Sequence, residues 1–286
     1  MKRYLAYFYI LLAGTLWGLI GIFNRGLTAG GFSAFSIVLV RNIGSLFVLG
    51  LISLIFDRSI FVIKLNHLPY FLGSGIVSIL LFTLCYFSCQ QICSLATAAI
   101  LLYTAPTFVV ILSAILWKDK VTKEKIFALV ITFLGCTFVT GVWSGNLNTS
   151  LSGVLLGIGS GFFYGLYSVF SRYALRHYSP LTVTFYSFLF SGIGSLFVIR
   201  PAELKAGFTQ PGFLFCVLGL ILISTVIPYI LYTKGLSVID SGRASILASI
   251  EPVVAAIVGI IVFGEPMNIS VLLGLVCILI SVYILR

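Results

Sequence analysis

The chain has 286 residues, of which 60% are hydrophobic and only 8% are charged, and its formal net charge is +10. Because roughly a quarter of the residues in an ordinary soluble domain are charged, no soluble domain of this size could hide so much apolar surface from water. The composition therefore excludes a soluble globular protein and predicts an integral membrane protein. The basic residues are scattered over many loops, which disfavours a nucleic-acid-binding patch.

Apolar stretches of about 18 to 24 residues, the length that crosses a ~30 Å hydrocarbon core as helix, recur along the whole chain. Strands of a membrane β-barrel would be about half as long and would alternate in polarity. The sequence thus predicts an all-α membrane protein with ten transmembrane helices. Without the short fifth stretch, the two termini would lie on opposite sides. The predicted spans are 4–24, 33–56, 68–91, 95–117, 126–142, 151–173, 180–199, 212–233, 243–263 and 268–285.

Three blocks of sequence recur in the same order in the two parts of the chain, 1–142 and 151–286. Tandem repeats in an apolar chain are typical of transporters, whose site lies where the repeats meet. Five spans per repeat is an odd number, so the two repeats are predicted to be inverted relative to each other. The matches are 43–48 with 193–198; Gly14, Trp17, Gly18, Phe23 and Arg25 with Gly161, Tyr164, Gly165, Phe170 and Arg172; and Tyr86, Ala98, Ile100, Leu101 and Pro106 with Tyr232, Ala244, Ile246, Leu247 and Pro252.

The loop charges predict the orientation. If the N-terminus is inside, the outer loops hold only Arg25, Arg200 and Lys205, and Arg41 lies within a span. All other Lys and Arg residues then fall in cytoplasmic loops, as the positive-inside rule requires. Both termini are predicted to be cytoplasmic, in what we expect to be a bacterial inner membrane.

Two charged residues lie inside predicted spans, where each costs at least ~2.5–3.5 kcal/mol to insert. Glu251 precedes Pro252 in the ninth span, and we expect it to bind substrate or to carry the coupled proton. The alternative is a structural ion pair or a bond to a backbone carbonyl that Pro252 leaves free. Arg41 in the second span is a candidate substrate contact, but it could also reach the outer headgroups or hold helices together.

Helix-breaking and small residues mark the helices that should surround a central space. Pro106 and Pro252 occupy matching places in the fourth and ninth spans, and Pro228 lies in the eighth. Each proline removes a backbone hydrogen bond, which membrane helices tolerate only against protein or a watery cavity, so kinked, cavity-lining helices are predicted. Small residues recur every fourth position in the first and sixth spans, which predicts close helix packing. These residues are Gly14, Gly18, Gly153, Gly157, Gly161 and Gly165.

Aromatic and polar side chains share the faces of these helices. An aromatic box with a few hydroxyls and amides suits an organic solute with an apolar body, although aromatics that only fill the core or face lipid are the alternative. The predicted substrate-binding residues are Trp17, Asn24, Arg41, Tyr86, Gln90, Tyr103, Tyr164, Ser168, Tyr229, Ser249 and Glu251. Cys85, Cys89 and Cys93 share one helix face, which is read as packing of small apolar residues. We predict no metal and no cofactor.

The residues that carry a family resemblance are the pair Trp17-Gly18, then Arg41, Pro106, Glu251-Pro252 and Gly264-Glu265. In this pattern the chain resembles the drug/metabolite transporter superfamily, and within it the ten-helix EamA-type family. The resemblance implies an inverted repeat of five plus five helices around a cavity lined by spans 1, 3, 4, 6, 8 and 9. It also implies transport of amino acids, other metabolites or amphiphilic drugs, often linked to protons. In one departure Ala105 stands where the second repeat has Glu251, so any acidic coupling site is single.

The predicted function is secondary active transport of small organic metabolites, such as amino acids or similar zwitterions, by alternating access with proton coupling. An exporter of organic cations or amphiphilic drugs is the alternative. No nucleotide-binding Gly-x-x-x-x-Gly-Lys loop occurs, which argues against an ATP-driven pump. A membrane enzyme would need paired His or carboxylates, but His67 and His177 lie in separate loops. The expected partners are the lipid bilayer, a small-molecule substrate and a proton, in a monomer or a homodimer.

Overall fold

The computed structural model describes residues 2–56, 58–93, 95–140, 150–198, 212–265 and 267–285, and every regular element in these ranges is helical. Arg200 and Lys205 of the predicted outer loops, and the C-terminal ends of the spans predicted at 126–142 and 180–199, lie outside the described residues. The helices are α1 Lys2–Gly18, α2 Ile20–Ala29, α3 Ala34–Phe56, α4 Leu68–Leu72, α5 Leu81–Ile92, α6 Leu95–Leu102, α7 Ala105–Trp117, α8 Lys123–Val139, α9 Leu151–Ala174, α10 Pro180–Val198, α11 Phe213–Leu218, α12 Ile227–Leu236, α13 Ser241–Ala248, α14 Glu251–Phe263 and α15 Ile269–Ile284.

Eight helical stretches within the described ranges are long and apolar enough to cross a membrane. The predicted fifth and tenth spans correspond to α8, with 17 residues, and α15, with 16 residues, and both are shorter than those eight. The structure therefore has the helices of an integral membrane protein, and the count of ten spans remains a prediction. The eight stretches are Arg3–Ala29, Ala34–Ile55, Leu65–Ile92, Thr97–Trp117, Leu151–Ala174, Pro180–Phe197, Phe213–Leu236 and Ser241–Phe263.

The fourth and ninth spans are broken where the sequence predicts kinks. In the fourth span α6 ends at Leu102 and α7 begins at Ala105, so that Pro106 lies in the first turn of the new helix. In the ninth span Pro252 lies in the first turn of α14 in the same way. The first turn tolerates proline because its N–H groups have no intrahelical partner there. The two prolines thus begin new helices instead of bending continuous ones.

The third and eighth spans each contain an eight-residue π-helical segment, Gly73–Leu80 and Gly219–Val226, which begin 146 positions apart. Pro228 lies in the first turn of α12, directly after the second segment, but the third span has no proline at the matching position. Proline therefore does not explain why both spans adopt the wider π-helical form. Each segment begins at a glycine covered by a phenylalanine ring, Phe170 over Gly73 and Phe23 over Gly219. Segments of π-helix occur frequently at functional sites.

The glycine faces of α1 and α9 pack against the two broken helices, as the glycine spacing predicts. A Cβ atom at Gly14 would lie 2.8 Å from the carbonyl oxygen of Ala248, at the end of α13. A Cβ atom at Gly161 would likewise lie 2.8 Å from the carbonyl oxygen of Leu101, near the end of α6. Only a residue without a side chain allows this close approach of two backbones. The first helix of each part of the chain therefore holds a helix break of the other part at the centre of the protein.

Candidate functional site

A small cavity lies at the centre of the protein, next to the helix breaks. It has about 20 Å³ of room, enough for roughly one water molecule. Four of the residues predicted to bind substrate line it: Trp17, Tyr164, Ser168 and Tyr229. The cavity is therefore nearly closed in this conformation. Its full lining is Trp17, Ser78, Ile79, Phe82, Tyr164, Gly165, Tyr167, Ser168, Tyr229, Tyr232, Ser245 and Ala248.

The aromatic rings around this cavity are arranged about Trp17. Its ring centroid lies 5.3 Å from those of Tyr229 and Tyr232 and 6.5 Å from that of Tyr164. The hydroxyls of Ser168 and Tyr232 lie 2.7 Å apart and share a hydrogen bond. Edge-on and tilted aromatic contacts of this kind are favourable, and the hydroxyls leave polar groups beside apolar ring faces. The arrangement suits an organic ligand with both polar and apolar parts.

Two of these tyrosines, Tyr167 and Tyr232, are not among the substrate-binding residues predicted from the sequence. Tyr232 is the counterpart of Tyr86 in the repeat, and Tyr167 lies three residues after Tyr164 on the same helix. Both signals were therefore present in the sequence. The hydroxyl of Tyr167 lies 2.9 Å from that of Thr233, so this ring is fixed by a buried hydrogen bond.

A second, smaller cavity of about 10 Å³ contains Glu251 and adjoins the first, since both are lined by Tyr164, Ser245 and Ala248. Tyr103, Ser249 and Pro106 also line it, as the sequence predicts for a central site, together with Ala105. Glu251 is half-buried and begins α14. A carboxylate is favourable at this position because the first turn of a helix carries a partial positive charge.

The Glu251 carboxylate has no cation within ion-pair distance among the residues that the structure describes. The structural ion pair that the sequence left open as an alternative is therefore not seen in this part of the chain. A carboxyl group at a cavity, with no ion-pair partner in the described part of the chain, is available to a ligand or to a proton.

Arg41 points to the protein interior. Its Nη2 atom donates a hydrogen bond to Thr83 Oγ1 at 3.3 Å, and its Nε atom is buried without a partner among the described residues. Tyr164 and Tyr229 lie near both Arg41 and Glu251. Two groups that carry opposite charges when ionised therefore flank the same pair of cavity tyrosines.

The other predicted residues are not among those that line the two cavities. The Tyr86 ring packs 6.0 Å from that of Phe82, a cavity residue, and its hydroxyl is within hydrogen-bonding reach of Gln90. Asn24 lies in α2, and its Oδ1 atom is buried without a partner among the described residues. Pro228 and Pro252 are buried beside the site.

The cysteine and histidine groups do not form a metal site in the described ranges, where no group of three or more His, Cys, Asp or Glu could hold an ion. Cys89 packs against α9, with its thiol donating to the Gly153 carbonyl at 3.2 Å. His67 and His177, which the sequence assigned to separate loops, stack with their centroids 4.3 Å apart. The Tyr178 hydroxyl also hydrogen-bonds His67 Nδ1 at 2.9 Å, which joins the loop of His177 to that of His67.

A helical membrane protein with helices broken at a central, aromatic, charged cavity has the features of a membrane transporter. The model of the EamA-like transporter family matches residues 4–141 and 151–286, and the chain belongs to this family. Its membership of the drug/metabolite transporter superfamily, expected from the motif residues, is confirmed.

The relatives carry names of transporters. The chain is 33% identical over 199 residues to an "Uncharacterized transporter" of Archaeoglobus fulgidus, covering 70% of each chain. It is 26% identical to the "Uncharacterized inner membrane transporter YicL" of Salmonella typhimurium, over 96% of this chain and 93% of the relative. A solved structure titled "Crystal structure of protein" shares the fold with a TM-score of 0.80 at 15% identity, over 99% and 96% of the two chains. The chain is a membrane transporter, and these names support a transporter over an enzyme.

Proposed function

We propose that the chain is a secondary transporter that moves small zwitterionic metabolites, such as amino acids, across the membrane by alternating access coupled to protons. One observation carries the proposal. Arg41 and Glu251, of opposite charge and without an ion-pair partner in the described ranges, lie near the same cavity tyrosines, Tyr164 and Tyr229. A zwitterion offers one charge to each of them.

The proposed architecture is ten spans in two inverted repeats, 1–142 and 151–286. Helices α8 and α15 add to the eight longer stretches, and they pack closely enough that a Cβ atom at Gly274 would lie 2.6 Å from the Gly135 carbonyl oxygen. The hydroxyl of Thr132 also donates to that of Ser281 at 2.7 Å. Two further observations support the repeat: the matching π-helical segments and the family match in two stretches.

The substrate is proposed to bind with its carboxylate toward Arg41 and its ammonium group toward Glu251. Arginine holds carboxylates through two parallel hydrogen bonds, and the rings of Trp17, Tyr164 and Tyr229 can face both the ammonium group and the apolar body. The cavity of about 20 Å³ is too small for an amino acid. The spans must therefore move apart to admit substrate from one side and then from the other.

Glu251 is the proposed carrier of the coupled proton because, among the residues that the structure describes, it is the only carboxyl group that lines either central cavity. The test is uptake into proteoliposomes with an imposed pH gradient. Glu251→Gln should abolish accumulation, while exchange of substrate and binding, read as a thermal shift, persist at lower affinity because Gln keeps the hydrogen bonding of Glu251 but not its charge. Glu251→Asp should retain part of the activity with an altered pH profile.

Glu124→Gln is the matched control because Glu124 is exposed at the start of α8 and away from both cavities. This variant should accumulate substrate normally. If the Glu251→Gln variant accumulates substrate as well as the wild type does across the whole pH range, Glu251 has only a structural role and the coupling proposal is wrong.

Orientation and location are also proposals. Both termini are expected on the cytoplasmic side of a bacterial inner membrane, which the name of the Salmonella relative supports. Thiol labelling of a cysteine at Asn146, which lies outside the described residues, should succeed from outside, and labelling at Lys123 should not. The opposite pattern would reverse the orientation.

The second candidate function is export of organic cations or amphiphilic drugs. The observation that favours it is the cluster of rings around Trp17 beside a carboxyl group with no cation partner in the described ranges, a known way to bind amines. This function would use Glu251 but not Arg41. Substrate selectivity of an Arg41 variant therefore separates the two candidates.

A further inference from the structure

Two ion pairs join the two parts of the chain at matching positions. Arg172 in α9 pairs with Asp119, just after α7. Arg25 in α2 pairs with Glu265, just after α14. Arg25 and Arg172 lie 147 positions apart, and Asp119 and Glu265 lie 146 apart. Each pair therefore connects the first helix of one repeat to the end of the fourth helix of the other.

The surroundings of the two pairs also match. The Arg172 guanidinium lies 4.4 Å from the ring centroid of Trp117, the last residue of α7. The Arg25 guanidinium lies 4.0 Å from the ring centroid of Phe263, the last residue of α14. The planar guanidinium of arginine can stack flat on an aromatic ring, which the ammonium group of lysine cannot do.

The two carboxylates are held by the same backbone turn. Each follows a left-handed residue, Lys118 with φ 55° or Gly264 with φ 66°. The backbone N–H of Asp119 donates to the Ser113 carbonyl, and that of Glu265 donates to the Gly259 carbonyl. This turn is a common helix C-terminus, and it fixes each acid rigidly to the end of its helix.

The two pairs lie at opposite ends of the protein. Asp119 lines a surface pocket together with Arg3. Arg3 begins the helical stretch that runs to Ala29, and Arg25 lies near the far end of that stretch. At 1.5 Å per residue, the distance from Arg3 to Arg25 is roughly 30 Å. The central cavity therefore lies between the two pairs.

Each pair is linked to the site by one helix. Helix α7 runs from Ala105, at the Glu251 cavity, to Trp117 beside Asp119. Helix α14 runs from Glu251 itself to Phe263 beside Glu265. Each helix has 13 residues, which spans roughly 20 Å. A movement of either helix break would thus displace the carboxylate at the other end of the same helix.

We propose that Arg172–Asp119 and Arg25–Glu265 are the two gates of the transport cycle, which open one at a time on opposite sides of the membrane. The inference rests on the proposed alternating access. Both pairs are formed in this structure, and the central cavity has room for only about one water molecule. This combination defines an occluded conformation, from which either pair can break to admit solvent on its own side.

The two gates differ in strength. The side chains of Arg172 and Asp119 are 24% and 17% exposed, whereas those of Arg25 and Glu265 are 55% and 46% exposed. Water screens an exposed pair more strongly, so the Arg25–Glu265 gate should open more readily. The resting protein should therefore admit reagents mainly from the Arg25 side.

The competing explanation is that both pairs are static connections that only stabilise the fold. Asp119→Asn and Glu265→Gln remove one charge each and preserve side-chain shape. Loss of a static connection would lower stability without changing access to the cavity. Loss of a gate would open the cavity on one side, and the two variants would act on opposite sides.

The test is a cysteine reporter at Ser245, which lines both cavities, in a variant whose six native cysteines are replaced. A membrane-impermeant thiol reagent is applied to one face of oriented vesicles, then to the other, without substrate. Asp119→Asn should raise the labelling rate from the side opposite Arg25 by up to about five-fold, and Glu265→Gln should raise it from the Arg25 side by roughly 1.5- to two-fold. Glu124→Gln should change neither rate.

Hydrogen exchange on variants with all native cysteines retained gives a second measurement. Asp119→Asn should raise exchange at the end of α7, and Glu265→Gln should raise it at the end of α14. Exchanging the charges in Arg172→Asp/Asp119→Arg should return the labelling rates to those of the wild type.

The outcomes separate this inference from the proposed function. If the wild-type reporter is labelled from each side and neither variant shifts the rates, or both shift the same side, the gate assignment is wrong and alternating access stands. Lowered stability with unchanged labelling also overturns it, in favour of static connections. If the reporter cannot be labelled from either side, with or without a screened amino acid, alternating access itself is wrong.

Discussion

The helix breaks in the fourth and ninth spans have the same backbone arrangement but differ in the chemistry of one side chain. Both have a proline in the first turn of the second helix, Pro106 or Pro252, and both are packed against a glycine of the opposite repeat. The residue before the proline is a buried alanine, Ala105, in one case and Glu251 in the other. The backbone arrangement is therefore present twice, whereas the ionisable group is present once.

The opposite asymmetry holds for the positive charge. Arg41 lies in α3, and the residue 146 positions later is Ser187 in α10. Ser187 is buried, and its hydroxyl lies 2.6 Å from that of Ser74. One repeat thus supplies the cation and the other supplies the carboxyl group. Residues that break the repeat are therefore the best candidates for substrate chemistry.

The largest expected effect comes from removing the cation. Arg41→Gln should lower the affinity for zwitterionic substrates roughly 10- to 100-fold, because a hydrogen bond to a charged group contributes about 1.5–3 kcal/mol. Binding of simple amines should be unchanged. The measurement is competition for uptake by amino acids and by matched amines that lack the carboxylate.

Ser187→Ala is the control for this experiment because it changes the matching position of the other repeat. It should leave the ratio of amino-acid to amine affinity unaltered. Equal losses for amino acids and amines in Arg41→Gln would show that Arg41 supports the fold and not substrate selection.

The next prediction compares the close helix contacts at Gly14 and Gly161, one in each repeat. A Cβ atom would lie 2.8 Å from a backbone carbonyl oxygen at both Gly14 and Gly161. Alanine at either position should therefore lower the free energy of unfolding by about 1–3 kcal/mol, the usual cost of overpacking. Thermal unfolding in detergent measures it.

Gly21→Ala is the matched control because no atom lies within 4 Å of the added Cβ at that helical position. Alanine favours helix over glycine by up to ~1 kcal/mol, so this variant should be neutral or more stable. A tolerated alanine at Gly161 together with a damaging one at Gly14 would mean that the two helix contacts are not equivalent.

The smallest effect concerns the two ion pairs. Asp119→Asn should lower the free energy of unfolding by up to about 1 kcal/mol. Glu265→Gln should lower the free energy of unfolding by only a few tenths of a kcal/mol, since solvent screens that exposed pair. The loss for Glu265→Gln should shrink further in high salt while that for Asp119→Asn changes less, because salt screens exposed charges more than partly buried ones. An equal loss for both variants at low salt would contradict the ranking drawn from their exposure.

The repeat is a case where sequence and structure differ in register. The identical hexapeptides 43–48 and 193–198 are 150 positions apart, whereas the helices that carry them, α3 and α10, begin 146 positions apart at Ala34 and Pro180. The Ser33 and Ser179 hydroxyls accept the N–H groups of Ser36 and Thr182 in the same way. The hexapeptides therefore lie about one helical turn out of register, and the duplication rests on the other matches.

The sequence by itself predicted the membrane class and the family, and about half of the residues that line the two cavities are among its predicted site residues. It could do so because a chain in lipid must satisfy its backbone hydrogen bonds within each span, so that local hydrophobicity and length determine the helices. The motif residues Trp17, Pro106 and Glu251 also lie at the centre of the structure. Their positions follow from local signals, namely an aromatic residue on a glycine face, a helix-breaking proline and a charge within a span.

Only the tertiary structure decided which side chains meet. Arg25 and Glu265 are 240 positions apart, and Arg172 and Asp119 are 53 apart, so no local pattern pairs them. The π-helical segments likewise depend on rings from other spans that cover Gly73 and Gly219. Every span is apolar on most sides, so hydrophobicity does not determine which faces of the helices pack together. Close contacts and hydrogen bonds between distant spans determine it, and these form only when the whole bundle is assembled.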